Sequence, residues 1–167
     1  LQAMILTEEG GDRMVLTPSY HVFEMYKVHQ DATLLPLDLQ CDEYAYGDAK
    51  IPALTATASR NHEGIVHLSL SNLDPNHARS VTCNVRGIDA AKVSGRILTA
   101  DAMNAHNTFD APETVKPVAF DGAQLAGETL TVQLPAKAVV VLALHGQCVH
   151  NYCRTVAAPA CSKIFRQ

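Results

Sequence analysis

The sequence contains no tryptophan, and phenylalanine and tyrosine together supply only 5% of its 167 residues. A carbohydrate-binding surface built on a broad aromatic platform is therefore poorly provided for. Charged residues are also scarce, at 18%, with a net charge of −4 and no clustered Lys and Arg. Nucleic acid is excluded as an expected partner, since phosphate binding needs such clusters. No apolar run is long enough to span a bilayer. The opening "LQAMILTEEGG" lacks the basic start and long apolar region of a secretory leader. The five cysteines do not read as a secreted disulfide framework, because Cys41 and Cys83 stand apart while Cys148, Cys153 and Cys161 crowd the end. The cytoplasm is the expected setting.

What is present is apolar. Hydrophobic residues reach 47%, enough for one packed core. "LQAMILT" suits a short buried strand, and "EEGGDR" a polar turn. In "MVLTPSYHVFEMYKVHQ", Thr17 caps a helix and Pro18 takes the first helical position, where a missing N–H costs nothing. Val22, Phe23, Met25, Tyr26 and His29 make one broad face, and Glu24–Lys27 is a favourable i, i+3 pair.

After Asp31 the period shortens. "TLLPLDL" is extended, with Pro36 at an edge. Leu54, Ala56 and Ala58 share one face of "ALTATASR". Val66, Leu68 and Leu70 share the inner face of "GIVHLSLSNL", which turns His67 outward. Val81, Cys83 and Val85 point inward from "SVTCNVRG". "KVSGRILTA", "VKPVAF", "ETLTVQL" and "AVVVLALH" complete a series of short strands with turn signals between them. The pattern predicts a mainly β fold: an antiparallel jelly-roll β-sandwich with one N-terminal α-helix. "HGQCVHNYCRTVAAPACSKIFRQ" has no convincing period and reads as an appended tail.

"LQAMILT", "MVLTPSYHVFEMYKVHQDA", "SLSNLDPNHARSV", "GRILTADAMNAHNTFDAPETVKP" and "LPAKAVVVLAL" together resemble the C-terminal part of an α-L-arabinofuranosidase of glycoside hydrolase family 51. The resemblance implies three parts. Residues 1–32 are a remnant of the last β/α unit of a (β/α)8 barrel, 33–145 are the jelly-roll domain, and 146–167 are an unmatched tail. Such enzymes are retaining hydrolases that set two glutamates roughly 5 Å apart across the sugar. The family carries them on earlier barrel strands, so no residue here inherits either role. One strand and one helix cannot close a barrel. The resemblance thus implies an accessory sandwich that does not hydrolyse arabinofuranosides alone.

Other chemistry is weighed against that expectation. Barrel active sites lie at the C-terminal ends of the strands, which draws attention to Glu8, Glu9 and Asp12, although a solvated acidic turn is the favoured reading. His145, Cys148, His150 and Cys153 are soft and borderline ligands within nine residues, a candidate zinc set, but the C-x-H-x-x-C spacing matches no standard finger. Cys83 alternates inward, where a thiol acts as a small hydrophobe. Neither a G-x-S-x-G elbow nor a phosphate-binding glycine loop occurs. Tyr44 and Tyr46 in "CDEYAYGD" are the candidate sugar platform, or else part of a polar loop. A stand-alone hydrolase, using a metal or an oligomer interface, is the alternative reading. A helix face built to meet a barrel also needs a cover: Val22, Phe23, Met25 and Tyr26 are expected to pack on their own sandwich or to join copies into a homo-oligomer, the latter favoured.

Overall fold

A computed structural model describes residues 3–148 and 155–159. The chain opens with a hairpin: β1 (Ile5–Thr7) pairs antiparallel with β2 (Met14–Leu16) across the glycine-rich turn. The expectation of a buried first strand is corrected, because Ile5, Leu6 and Thr7 are all exposed. Three residues are too few to bury a face without a third strand. Helix α1 (Pro18–Tyr26) follows, and Tyr20 N–H donates to Thr17 Oγ1 at 3.4 Å, as the cap predicts. A 3-10 turn (Lys27–His29) continues it, and Asp31, at φ +55°, swings the chain into the sandwich.

The sandwich strands are β3 (Thr33–Leu35), β4 (Leu37–Leu39), β7 (Leu54–Arg60), β8 (Val66–Asn72), β9 (Arg79–Val85), β10 (Ile88–Leu98), β11 (Val118–Ala119), β12 (Ala123–Ala126), β13 (Thr129–Leu134), β14 (Val139–Cys148) and β15 (Thr155–Pro159). Between β4 and β7 stands a separate two-stranded hairpin, β5 (Glu43–Tyr46) and β6 (Ala49–Pro52). The larger sheet has the order β11-β10-β14-β8-β7-β3, and the smaller β12-β13-β9-β15-β4. All pairings are antiparallel except β15 with β4. The mainly β sandwich with one helix is the fold the sequence predicts.

Alternation fixes which residues meet between the sheets. Leu54 and Ala58 of β7, Val66, Leu68 and Leu70 of β8, and Val140, Leu142 and Leu144 of β14 point inward from the larger sheet. Val81, Cys83 and Val85 of β9, with Leu130, Val132 and Leu134 of β13, face them. A second cluster lies on the outer side of the larger sheet, where Met25 packs with Leu98, Val115 and Val141. Thus β14 is buried on both faces, which explains why its sequence is a continuous apolar run rather than an alternating one.

This second cluster decides how the helix face is covered and where His67 sits. The helix face is not uncovered: Met25 is 2% exposed and Val22 and Tyr26 are half-buried against their own sandwich, while Phe23 alone of the four stands in solvent, 64% exposed. His67 does point away from the sandwich core, yet it is buried, because the helical segment roofs that side of the sheet. The tail also differs from a featureless appendage, since β14 runs on to Cys148 and residues 155–159 pair with β9 and β4.

Candidate functional surface

Three polar constructions position the elements. Under the helix, a row of hydroxyls on the outer face of the larger sheet meets side chains from above. His29 Nδ1 lies 2.6 Å from Ser59 Oγ and its Nε2 2.6 Å from Ser69 Oγ. Tyr26 Oη is 3.3 Å from Ser71 Oγ. The His67 ring stands edge-on to His29, 6.5 Å between centroids, and its buried Nδ1 has no hydrogen-bond partner. Burial pushes the pKa of both imidazoles down, and each has a neighbouring imidazole that adds to the effect: His67 for His29, and His145 for His67. At the helix edge Arg96 donates to Glu24 Oε2 at 2.8 Å, and Lys27 Nζ is 3.2 Å from Glu24 Oε1.

The second construction is the turn "NLDPNHAR" between β8 and β9. The Asp74 carboxylate is buried, which by itself would raise its pKa. The Asn76 N–H at 2.9 Å, the His77 ring, the Arg79 guanidinium at 2.9 Å and the His77 N–H overturn that and hold it well below the usual carboxylate range. Asn72 locks the same turn, donating from Nδ2 to the carbonyls of His77 and Pro135. Arg79 also reaches Asp42 at 3.2 Å.

The third ties the N-terminal hairpin to the loop after β10. Asn107 is buried and bonds three backbone groups, at Leu16 and at Val115. Arg13 pairs with Glu8 and with Asp110, and its guanidinium lies 5.3 Å from the Phe109 ring centroid. The hydrogen bond from Arg13 holds Glu8 below its ordinary pKa.

Glu8 is bound to Arg13, whereas Glu9 and Asp12 are exposed on the turn. A glycosidase acid needs a carboxyl whose pKa is raised. Among the described residues, every carboxylate with a resolved shift (Glu8, Glu24, Asp74 and Glu113) is moved down. His145 is exposed, with Nε2 3.2 Å from Ser94 Oγ. Cys148 is described as backbone only, pairing with Ile88, and His150 and Cys153 lie outside the described residues. No group of three or more His, Cys, Asp or Glu among the described residues is arranged to hold a metal ion. Cys83 is buried in the core, and burial pushes its thiol up to about 12. Tyr44 and Tyr46 belong to the β5–β6 hairpin rather than to a loop, Tyr44 half-buried and Tyr46 exposed. Sequence reasoning missed the His29–Ser59–Ser69 bridge. Its signal was present: serines at alternate positions of β8 on the same side as His67, facing a helix that ends in histidine.

The described residues form a β-sandwich with a helix docked on the outside of one sheet and a small separate hairpin. The chain matches the alpha-L-arabinofuranosidase C-terminal domain family over residues 1–138. It belongs to that family. It is 47% identical over 145 residues to an intracellular exo-alpha-L-arabinofuranosidase of Bacteroides ovatus, a match covering 86% of this chain and 28% of that protein. Against an intracellular exo-alpha-(1->5)-L-arabinofuranosidase of Bifidobacterium longum it is 31% identical over 110 residues, 61% of this chain and 19% of that one. The solved glycoside hydrolase family 51 arabinofuranosidase of Xanthomonas axonopodis pv. citri superposes with a TM-score of 0.82 at 46% identity, covering 87% of this chain and 29% of that one. The chain therefore spans less than a third of the length of the relatives it matches. Among the described residues no helix is long and apolar enough to cross a membrane.

Proposed function

We propose that this chain is the supporting sandwich of an α-L-arabinofuranosidase, seating a catalytic barrel rather than cleaving arabinofuranosides itself. The observation that carries the reading is the N-terminal surface. Met4, Ile5, Leu6 and Met14 of the hairpin are 38–58% exposed, and Phe23 projects from the side of α1 turned away from the sandwich. Forgoing burial of such side chains costs about 1.5–3 kcal/mol each, so a surface of this kind is built to be covered. The relatives' remaining length is the natural cover. In isolation, two copies pairing through Phe23 and the hairpin would serve the same end. The reading needs no cofactor, and the intracellular names of the two relatives support a cytoplasmic setting.

The test has two arms. The purified chain is assayed on a 4-nitrophenyl α-L-arabinofuranoside and is expected to show no turnover above buffer. It is then mixed with the separately produced N-terminal portion of the Bacteroides ovatus relative, and co-elution is expected, weakened by Ile5→Asp or Met14→Asp. Turnover by the pure chain would replace this reading with the stand-alone hydrolase. Retention on immobilised arabinan without turnover, lost on Tyr46→Ala, would favour a carbohydrate-binding module.

A further inference from the structure

We propose that protonation of His29 and His67 releases α1 and the turn after it from the outer face of the larger sheet, making this joint the first part of the fold to open as pH falls. The inference stands on the joint itself, whatever covers the hairpin.

The neutral His29 ring has one N–H and one bare nitrogen. With both nitrogens 2.6 Å from a serine, one hydroxyl accepts and the other donates. Ser59 and Ser69 are buried, so neither hydroxyl has water to turn to. Protonation converts the bare nitrogen into a donor. Its serine must then rotate its proton away from the ring toward another acceptor inside a roofed site. His67 lies beside it with its Nδ1 buried and unpartnered, so a second proton there adds a charge with nothing to receive it.

Among the described residues, no carboxylate acts on either ring. The charges that act on them are imidazoles, His67 on His29 and His145 on His67. The other charged groups on the packed elements are Glu24, Lys27 and Asp31 on the helical segment and turn, Arg60 on β7, and Asp89, Lys92 and Arg96 on β10. Glu24 is already taken by Arg96 and Lys27. His21, the remaining titratable ring on α1, faces Glu24, Arg96 and Glu113 instead, so it reports on a different environment.

Opening the joint hydrates both rings and lets them charge. Below the ordinary histidine value of about 6.5, each ring that gains a proton on opening favours the open state by up to tenfold per pH unit. Ser59 and Ser69 belong to β7 and β8, but the backbone pairing of those strands does not use their hydroxyls and keeps its own hydrogen bonds.

Native-state hydrogen exchange on the full chain tests this, with rates normalised to intrinsic exchange at each pH. From pH 7.5 to 5.5 the α1 amides are expected to lose tenfold to a hundredfold in protection, while Leu68 and Val81 stay protected by orders of magnitude more. His29→Gln with His67→Leu should remove most of that pH dependence. Equal protection of α1 and Leu68 at pH 5.5 would overturn the proposal, as would an α1 already unprotected at pH 7.5, or the same pH slope in the double variant. If the double variant does not fold, NMR titration of the wild-type rings decides: midpoints below about 6.5 support the latch, and midpoints at or above it refute it.

Discussion

Asn107 donates from Nδ2 to the carbonyl of Leu16 at 2.8 Å, joining positions 91 residues apart. The same amide donates to Val115 O at 2.9 Å and accepts from Val115 N–H at 2.7 Å. One side chain thus closes the post-β10 loop and clips the N-terminal hairpin to it.

Removing that clip leaves buried backbone groups without partners. Asn107→Ala is expected to cost about 3 kcal/mol, read as a lower urea midpoint. Asn107→Asp should be nearly as damaging, because it keeps the acceptor but brings a carboxylate against two carbonyls. A loss under about 0.5 kcal/mol in both variants would mean the loop is held some other way.

The helix has one face that matters to its own domain. Met25→Ala opens a cavity among Leu98, Val115 and Val141 and should cost about 2–4 kcal/mol. Phe23→Asp, on the exposed side, should change stability by less than about 0.5 kcal/mol. Chemical denaturation of the two variants side by side checks the contrast.

Asp74 sets a separate acid limit. Its folded pKa is depressed, so its contribution is complete above the ordinary carboxylate value of 3.8 and is lost as pH falls below that. Stability should therefore decline again below about pH 4, beneath the histidine window, and Asp74→Asn should shrink that lower step, leaving the smaller share of Glu8, Glu24 and Glu113. At neutral pH the same substitution is expected to cost about 2–3 kcal/mol, since it breaks charge-assisted bonds in a buried turn.

Cys83 should be chemically silent. With its thiol pushed up to about 12 from 9.0, burial alone leaves about a thousandfold less thiolate at neutral pH. Iodoacetamide followed by peptide mass analysis should show Cys83 unmodified in the native chain and modified in urea. Rapid native labelling would show that the core around β9, the middle strand of the smaller sheet, opens readily.

Much of the scaffold was readable because it follows simple periods. Thr17 and Pro18 mark the helix start, and alternation at Val66, Leu68, Leu70 and at Val81, Cys83, Val85 gives the inner faces correctly. The failures share a cause: what lies on the far side of an element leaves no period of its own. His67 was rightly turned away from the core, but its roof comes from a segment some forty positions earlier. Phe23 was grouped with Met25 by a broad arc. The stricter i, i+3, i+4, i+7 set is Val22, Met25, Tyr26 and His29, which leaves Phe23 about 100° away. In the β5–β6 hairpin seven of the eight strand residues are exposed, so no buried face distinguishes it from a polar loop. That Met4, Ile5, Leu6 and Met14 stay uncovered is not legible at all, since no rule of local sequence says which apolar residues a fold leaves exposed.

Pro36 lies between β3 and β4, which belong to opposite sheets. A single residue therefore carries the chain from one layer to the other directly after the helical segment. A tug transmitted through α1 reaches both layers within a few bonds and loads them in shear, like a rivet through two plates. The sandwich would resist such a load as one body.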